Sequence, residues 1–220
     1  MIITIDGPSG AGKSSVSKEL SRRLGFDYLD TGAMYRAVAL FMKERGIDLS
    51  DRAAVADALK GMKISFEQGR IFLNGRDVSD LIRTPEMDMA ASKVSAIPEV
   101  RQAMTRLQRS LAAKGDIIAE GRDMGTVVLP NAELKIFLSA SAEERAKRRK
   151  RQLEEAGQTV SYETILRQIK KRDKNDSNRD IAPLCPAEDA VVIDSSDMDF
   201  QQVVEAVVDL ANKLREKKRG

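Results

Sequence analysis

The sequence predicts an α/β fold in which a parallel sheet is flanked by helices. Three observations predict it. Short apolar runs alternate with helix-period segments, a Gly-rich turn joins the first run to the first helix, and 220 residues suffice for one sizeable domain. Ile2 to Asp6 reads as a buried parallel strand. Val16, Leu20 and Leu24 then recur every four residues and mark a helix face. Asp27 to Asp30 reads as a second strand, and Ala33 to Arg45 as a helix that Gly46 ends. Further strands are expected at 116–120, 134–140 and 190–195. The apolar face of Phe200, Val203, Val204, Val207, Leu210 and Leu214 defines a last helix, followed by a basic, frayed tail from Lys213 to Arg219. One segment breaks the alternation. Around Gln68-Gly69 and Asn74-Gly75, both turn signals, residues 62–83 read as a small antiparallel insertion within a single domain.

Composition narrows the chemistry. Aromatics make up 4% and Trp is absent, so the core is mainly aliphatic. The chain has no histidine and one cysteine, Cys185, which excludes an internal disulfide and argues against a structural zinc site. The apolar start stops at Asp6, short of a signal peptide, and no run approaches membrane-spanning length. The expectation is a cytoplasmic monomer with no membrane contact. A net charge of +3 is too small to imply nucleic-acid binding. The chemistry must run on Lys, Arg, carboxylates, hydroxyls, backbone amides and a bound cation.

Gly7-Pro8-Ser9-Gly10-Ala11-Gly12-Lys13-Ser14 matches the P-loop pattern, and Ser15 continues it into the helix. The pattern follows a strand and opens a helix, as a phosphate cradle must. Backbone N–H groups and the helix N-terminus face phosphate oxygens. Lys13 reaches the β- and γ-phosphates of ATP, and the Ser14 hydroxyl is placed to ligate Mg²⁺. A guanine-reading Asn-Lys-x-Asp is absent, which leaves a small-molecule kinase as the economical reading.

Three further segments carry a resemblance: Leu29 to Arg36, Glu120 to Thr126 (Glu-Gly-Arg-Asp-Met-Gly-Thr) and Arg172 to Arg179. With the P-loop and the insertion, they make nearly the whole chain resemble the bacterial cytidylate kinase family. The resemblance implies a five-stranded parallel core, an acceptor-binding region that includes residues 62–83, and a short lid at 145–161. It implies that Asp123, Arg101 and Ser92 read the base, and that Arg122 and Arg36 hold the acceptor phosphate. Thr31 stands where the family often has Ser and keeps the hydroxyl; Tyr35 offers a ring. Apart from the resemblance, Asp30-Thr-Gly is also a common helix-entry turn, and Arg101 with Asp123 equally suits a structural ion pair. Glu120 ends a strand as a carboxylate near Mg²⁺ does, and a helix-capping or water-binding role suits it equally.

Residues 143–151 are strongly basic. Arg145, Arg148 and Arg149 share one helical face, and Arg172, Asp176 and Arg179 share another by i, i+4, i+7 spacing. Arg148 is assigned to the ATP side, while Lys147, Lys150 and Lys171 read as a solvated surface. Converging guanidiniums stabilise the charge spread over a moving phosphoryl group, and Asp176 orients Arg172 or Arg179. The expected reaction is Mg²⁺-assisted transfer from ATP to CMP or dCMP. The alternatives are a kinase for another monophosphate such as UMP, or a nucleotide-gated RNA-binding switch.

Overall fold

The computed structural model describes residues 1–155 and 157–217. It forms two compact units, Met1–Leu29 with the chain from Gly115 onward, and Asp30–Lys114. The first unit holds a five-stranded parallel sheet in the order β2-β6-β1-β7-β8. Its strands are β1 (Ile2–Asp6), β2 (Asp27–Asp30), β6 (Ile117–Gly121), β7 (Leu134–Ser139) and β8 (Val191–Asp194). β1 is central. Asp6 stands opposite Gly121 of β6 and Phe137 of β7, so β1 and β6 end level, at the sheet edge where ligands bind in open α/β sheets, and β7 runs on to Ser139.

Helix α1 (Lys13–Leu24) and helix α8 (Phe200–Lys217) cover this sheet. Val16 and Leu20 meet Val203, Val204, Val207 and Ala211 over Ile3, Ile5, Ile136 and Leu138. Helix α8 continues to Lys217, so the expected fraying from Lys213 does not occur there; Lys218 and Arg219 lie outside the described residues. Helices α6 (Ala142–Glu155) and α7 (Tyr162–Ser177) form a hairpin with its own small core of Ala146, Ile165 and Ile169. The expected lid, 145–161, coincides with α6 and the turn after it. Ala156 in that stretch lies outside the described residues, and Gly157 beside it turns at φ 72°.

The second unit contains α2 (Thr31–Glu44), α3 (Arg52–Lys60), α4 (Pro85–Val94) and α5 (Pro98–Ala112), with the antiparallel strands β3 (Ile64–Glu67), β4 (Arg70–Leu73) and β5 (Arg76–Asp77). Both turn signals are realised. Gln68-Gly69 has φ 49° and 75°, and Asn74-Gly75 has φ 49° and 80°. Two consecutive positive φ values give the tight turn whose twist matches paired strands. Among the described residues no helix is long and apolar enough to cross a membrane.

Candidate active site

The cradle begins where β1 ends. Gly7 has φ 147°, and a Cβ there would lie 2.0 Å from the Leu138 carbonyl oxygen, so the turn can leave the strand only at a glycine. No carboxylate occupies the first turn of α1, and the positive end of that helix is not offset locally. Lys13 is buried and donates from Nζ to the Pro8 carbonyl at 2.7 Å. Ser14 and Ser15 stand exposed at the head of the helix.

Positive charge converges on Lys13. Burial presses its ammonium well below the ordinary lysine range; Arg122 adds to this, Glu120 opposes it, and Arg172 adds again. Asp176 is buried between two arginines, accepting from Arg122 Nε at 3.0 Å and from Arg179 Nη2. Burial pushes the Asp176 carboxyl upward, but the Arg122 and Arg179 guanidiniums overcome that and hold it below the usual aspartate value. One expectation needs correcting. Helix α7 ends at Ser177, so Arg179 is not on a helical face with Arg172. It lies beyond the cap residue Asn178 and turns back to Asp176 by a local ion pair. Arg172 acts on Asp176 through its charge, and the contact of Arg179 with Asp176 comes from that turn and not from a helical face.

The basic face of α6 also divides. Arg145 is buried and donates to the Ala140 carbonyl at 2.9 Å, the Ser9 carbonyl at 3.0 Å, and both Asp173 carboxylate oxygens at 3.0 and 2.6 Å. One guanidinium thereby ties the cradle, the end of β7 and α7 together. Arg148 donates instead to the Ser195 carbonyl at 2.6 Å and hydroxyl at 3.2 Å, just past β8. Lys147 and Lys171 are exposed and Lys150 half-buried, as a solvated surface requires.

Between β6 and β7 the chain makes one π-helical turn, Met124–Val128, with Asp123 at its head. Asp6 accepts from the backbone N–H groups of Met124 at 2.9 Å and Gly125 at 2.7 Å. Gly125 permits that approach, because a Cβ there would meet Thr4 Oγ1 at 3.0 Å and Lys135 at 3.3 Å. Burial pushes the Asp6 carboxyl from 3.8 up to about 6, against the pull of those two N–H donors; the Asp123 charge also raises it and Lys13 lowers it. A carboxyl whose folded pKa is raised contributes stability below its unfolded pKa and loses it as pH climbs through the folded one. Between pH 3.8 and about 6, wild type should therefore lose about 3 kcal/mol of unfolding free energy relative to Asp6→Asn. Urea midpoints measured across pH 4–7 on both proteins check this, and parallel profiles would refute it. Glu120 is buried and accepts from the Tyr28 hydroxyl at 2.6 Å.

In the second unit, Asp30 caps α2 by accepting from Ala33 N at 2.7 Å, so the entry turn does serve as a cap, with Thr31 buried behind it. Arg36 reaches Asp30 and Asp88, each at 3.4 Å. Arg101 is buried, donates to the Ser95 carbonyl at 3.2 Å and lies 5.9 Å from the Tyr35 ring centre. Ser92 is half-buried on α4, within the same unit.

A family model described as cytidylate kinase matches residues 3–213. The chain belongs to the cytidylate kinase family. Curated cytidylate kinases agree with it nearly end to end. That of Carboxydothermus hydrogenoformans is 48% identical over 97% of this chain and 98% of its own. That of Caldicellulosiruptor bescii is 50% identical over 96% of each, and that of Vibrio vulnificus 47% over 98% and 97%. Among solved structures, a gluconokinase from Sinorhizobium meliloti shares the fold at TM-score 0.52 and 14% identity, over 98% of this chain and 94% of that one. An uncharacterized protein from Eubacterium ventriosum does so at 0.55 and 14%, over 96% and 98%.

For this cytidylate kinase family member, sequence reading missed Asp6 and the Arg145–Asp173 pair. An acid ending a buried strand, next to the first glycine of the cradle, is a usable signal for Asp6. The Arg145–Asp173 pairing has none, since its partners come from separate helices.

Proposed function

We propose that this member of the cytidylate kinase family transfers the γ-phosphoryl group of ATP to CMP, and also to dCMP, as a cytoplasmic monomer. The observation that carries this reading is the convergence of Lys13, Arg122 and Arg172 at the cradle, with Asp176 holding both Arg122 and Arg179. Phosphoryl transfer asks for that charge. The exposed, lone Cys185 supports a reducing compartment.

An oxygen of the CMP phosphate attacks the γ-phosphorus in line, a new P–O bond forms, and the bond to the β–γ bridging oxygen breaks to release ADP. A phosphate monoester is largely dianionic at neutral pH because its second pKa is about 6. No proton need be removed, which accounts for a site without histidine. Lys13 and the backbone of residues 7–15 hold the ATP phosphates. Arg148, beside Ser195, serves the ATP side. Arg122, Arg172 and Arg179 receive the charge of the moving group, and Asp176 fixes Arg122 and Arg179 in place. Arg36 takes the acceptor phosphate together with Arg122. The Thr31 hydroxyl meets the sugar, and Tyr35 supports Arg101. Residues 62–83 belong to the acceptor-binding region and 145–161 to the lid.

The donor set suits Mg²⁺. Among the described residues no cluster of three or more carboxylates or other ligating side chains exists, while the Ser14 hydroxyl is exposed beside Lys13. Mg²⁺ prefers few protein ligands, substrate phosphates and retained water. Ser14 would hold it, and bound Mg²⁺ would neutralise charge on the ATP phosphates.

Base selection is assigned to Asp123, with Arg101 and Ser92. The carboxylate of Asp123 accepts from the N4 amino group of cytosine, while a guanidinium and a hydroxyl suit N3 and O2. Uracil places a carbonyl where cytosine has its amino group, so it leaves the carboxylate without a donor. Asp123→Ala should narrow the CMP-to-UMP ratio of kcat/KM by about 10–100-fold. Equal losses for both substrates would mean that Asp123 does not read the base. An ADP-release assay with CMP, dCMP, UMP, AMP, GMP and no acceptor tests the function itself. CMP must be the preferred acceptor, and acceptor-independent hydrolysis at the same rate would refute the assignment.

A further inference from the structure

Helix α7 has two unlike halves. Its aliphatic residues, Ile165, Leu166 and Ile169, lie in the first, where they pack with Ala146 of α6. Residues 170–177 read Lys-Lys-Arg-Asp-Lys-Asn-Asp-Ser and hold no apolar side chain, so hydrophobic burial cannot fix that half and polar contacts must. Lys170 pairs with Glu143 at 2.8 Å, but both side chains are more than half exposed, and such pairs contribute little. Two carboxylates three positions apart, and therefore on one helical face, do more. Asp176 accepts from Arg122, just past β6, at 3.0 Å. Asp173 accepts from Arg145 of α6 with both oxygens, at 3.0 and 2.6 Å. The Arg145 side chain is 4% exposed, and it also donates to the Ser9 carbonyl within the cradle and to the Ala140 carbonyl just past β7.

We propose that Arg145 and Asp173 are positioning residues for phosphoryl transfer: their ion pair locks the second half of α7 to the donor cradle and so places the Arg172 charge at Lys13. This rests on the assignment of Arg172 above. A helix held at one point can pivot, and a second anchor removes that freedom. Asp176 provides one anchor through Arg122, and Asp173, next in sequence to Arg172, provides the other. The Arg172 charge is felt at Lys13, so the helix does bring it to the cradle. Arginine suits the linking position as lysine would not. Its planar fork meets both Asp173 oxygens and still has N–H groups for Ser9 and Ala140, four acceptors that a single ammonium with three donors cannot match. Because the Ser9 carbonyl is part of the cradle backbone, the pair fixes α7 relative to the residues that hold ATP, and not only relative to α6. Asp173→Asn keeps the shape of the side chain but removes its charge and one acceptor oxygen. Arg172 should then be misplaced for the moving group, and a misplacement of about 1 Å can cost about 10²-fold in rate.

The experiment is a double-mutant cycle. Steady-state kinetics with ATP and CMP are measured for wild type, Asp173→Asn, Arg172→Ala and the double variant, with melting curves on each preparation. Asp173→Asn should lower kcat about 10–30-fold and leave the KM values for ATP and CMP within about threefold. In the Arg172→Ala background the same change should move kcat less than about threefold, because the residue it acts through is gone. Arg145→Lys should reproduce the Asp173→Asn pattern, and the two losses should not add. If Arg172→Ala lowers kcat but Asp173→Asn lowers only the melting temperature, the pair is structural, the positioning role is wrong and the Arg172 assignment stands. Losses that multiply in the double variant, or a defect confined to the KM for ATP, also overturn the proposal. If neither variant moves kcat, both assignments fall. Should Asp173→Asn not fold, Asp173→Glu keeps the charge on a longer stem and displaces the helix instead, and the same outcomes decide.

Discussion

Replacing Lys13 with alanine is expected to lower kcat by about 10³-fold or more while the protein remains folded. Lys13 is the side-chain cation of the cradle, buried, with its ammonium placed against Pro8. Its proton is held poorly without a polyanion nearby, because burial and the Arg122 charge both act against it. ATP phosphates reverse that balance, so the charge is most strongly favoured when substrate is bound. The folded state gains little from the ammonium, and thermal stability should hold steady or rise in Lys13→Ala. Single-turnover rates and melting curves on the same preparation check both halves. An unchanged kcat in folded Lys13→Ala would remove the phosphate-cradle assignment.

Arg172→Ala and Arg179→Ala should each lower kcat by about 10²–10³-fold and raise the KM for CMP far less. Charge that spreads over the moving phosphoryl group is felt in the transition state more than in the bound ground state. Arg179 is fixed by Asp176, which is itself buried and also holds Arg122. Asp176→Asn should therefore reproduce a large part of the Arg179→Ala defect without removing either cation. It loosens two guanidiniums at once, and the loss should not add to that of Arg179→Ala. Steady-state kinetics of the two single variants and the double variant check this. A defect confined to KM, or to thermal stability, would mean that these arginines do not act on the transferring group.

The parts of this molecule that could be read from sequence are those whose cause is local. Ile2 to Asp6, the Gly-Lys-Ser turn and the helix after it depend on residues within about fifteen positions of one another. So do the turns at Gln68-Gly69 and Asn74-Gly75, whose positive φ values are what Asn and Gly tolerate. The candidate site was partly legible because most of its residues cluster in four short segments, 7–15, 29–36, 120–126 and 172–179. What stayed hidden depends on the fold bringing distant residues together. Asp6 meets Gly125 across 119 positions, and Arg145 meets Asp173 across 28. Arg179 shows an intermediate case. Spacing implied a helical face, but the helix stops at Ser177 and a local turn makes the contact instead.

The central place of β1 has a consequence for how the chain is made. Its neighbours in the sheet are β6 and β7, so residues 2–6 leave the ribosome more than a hundred residues ahead of either partner. At ordinary rates of synthesis that interval lasts roughly 6–20 s. Throughout it, an apolar segment waits with both edges open, while the intervening unit Asp30–Lys114 is completed. Its five-residue length and the Asp6 charge are the protections it carries against mispairing. The nascent chain is thus most vulnerable at Ile2–Ile5, and a ribosome-bound chaperone that holds short apolar strands would find its first target there.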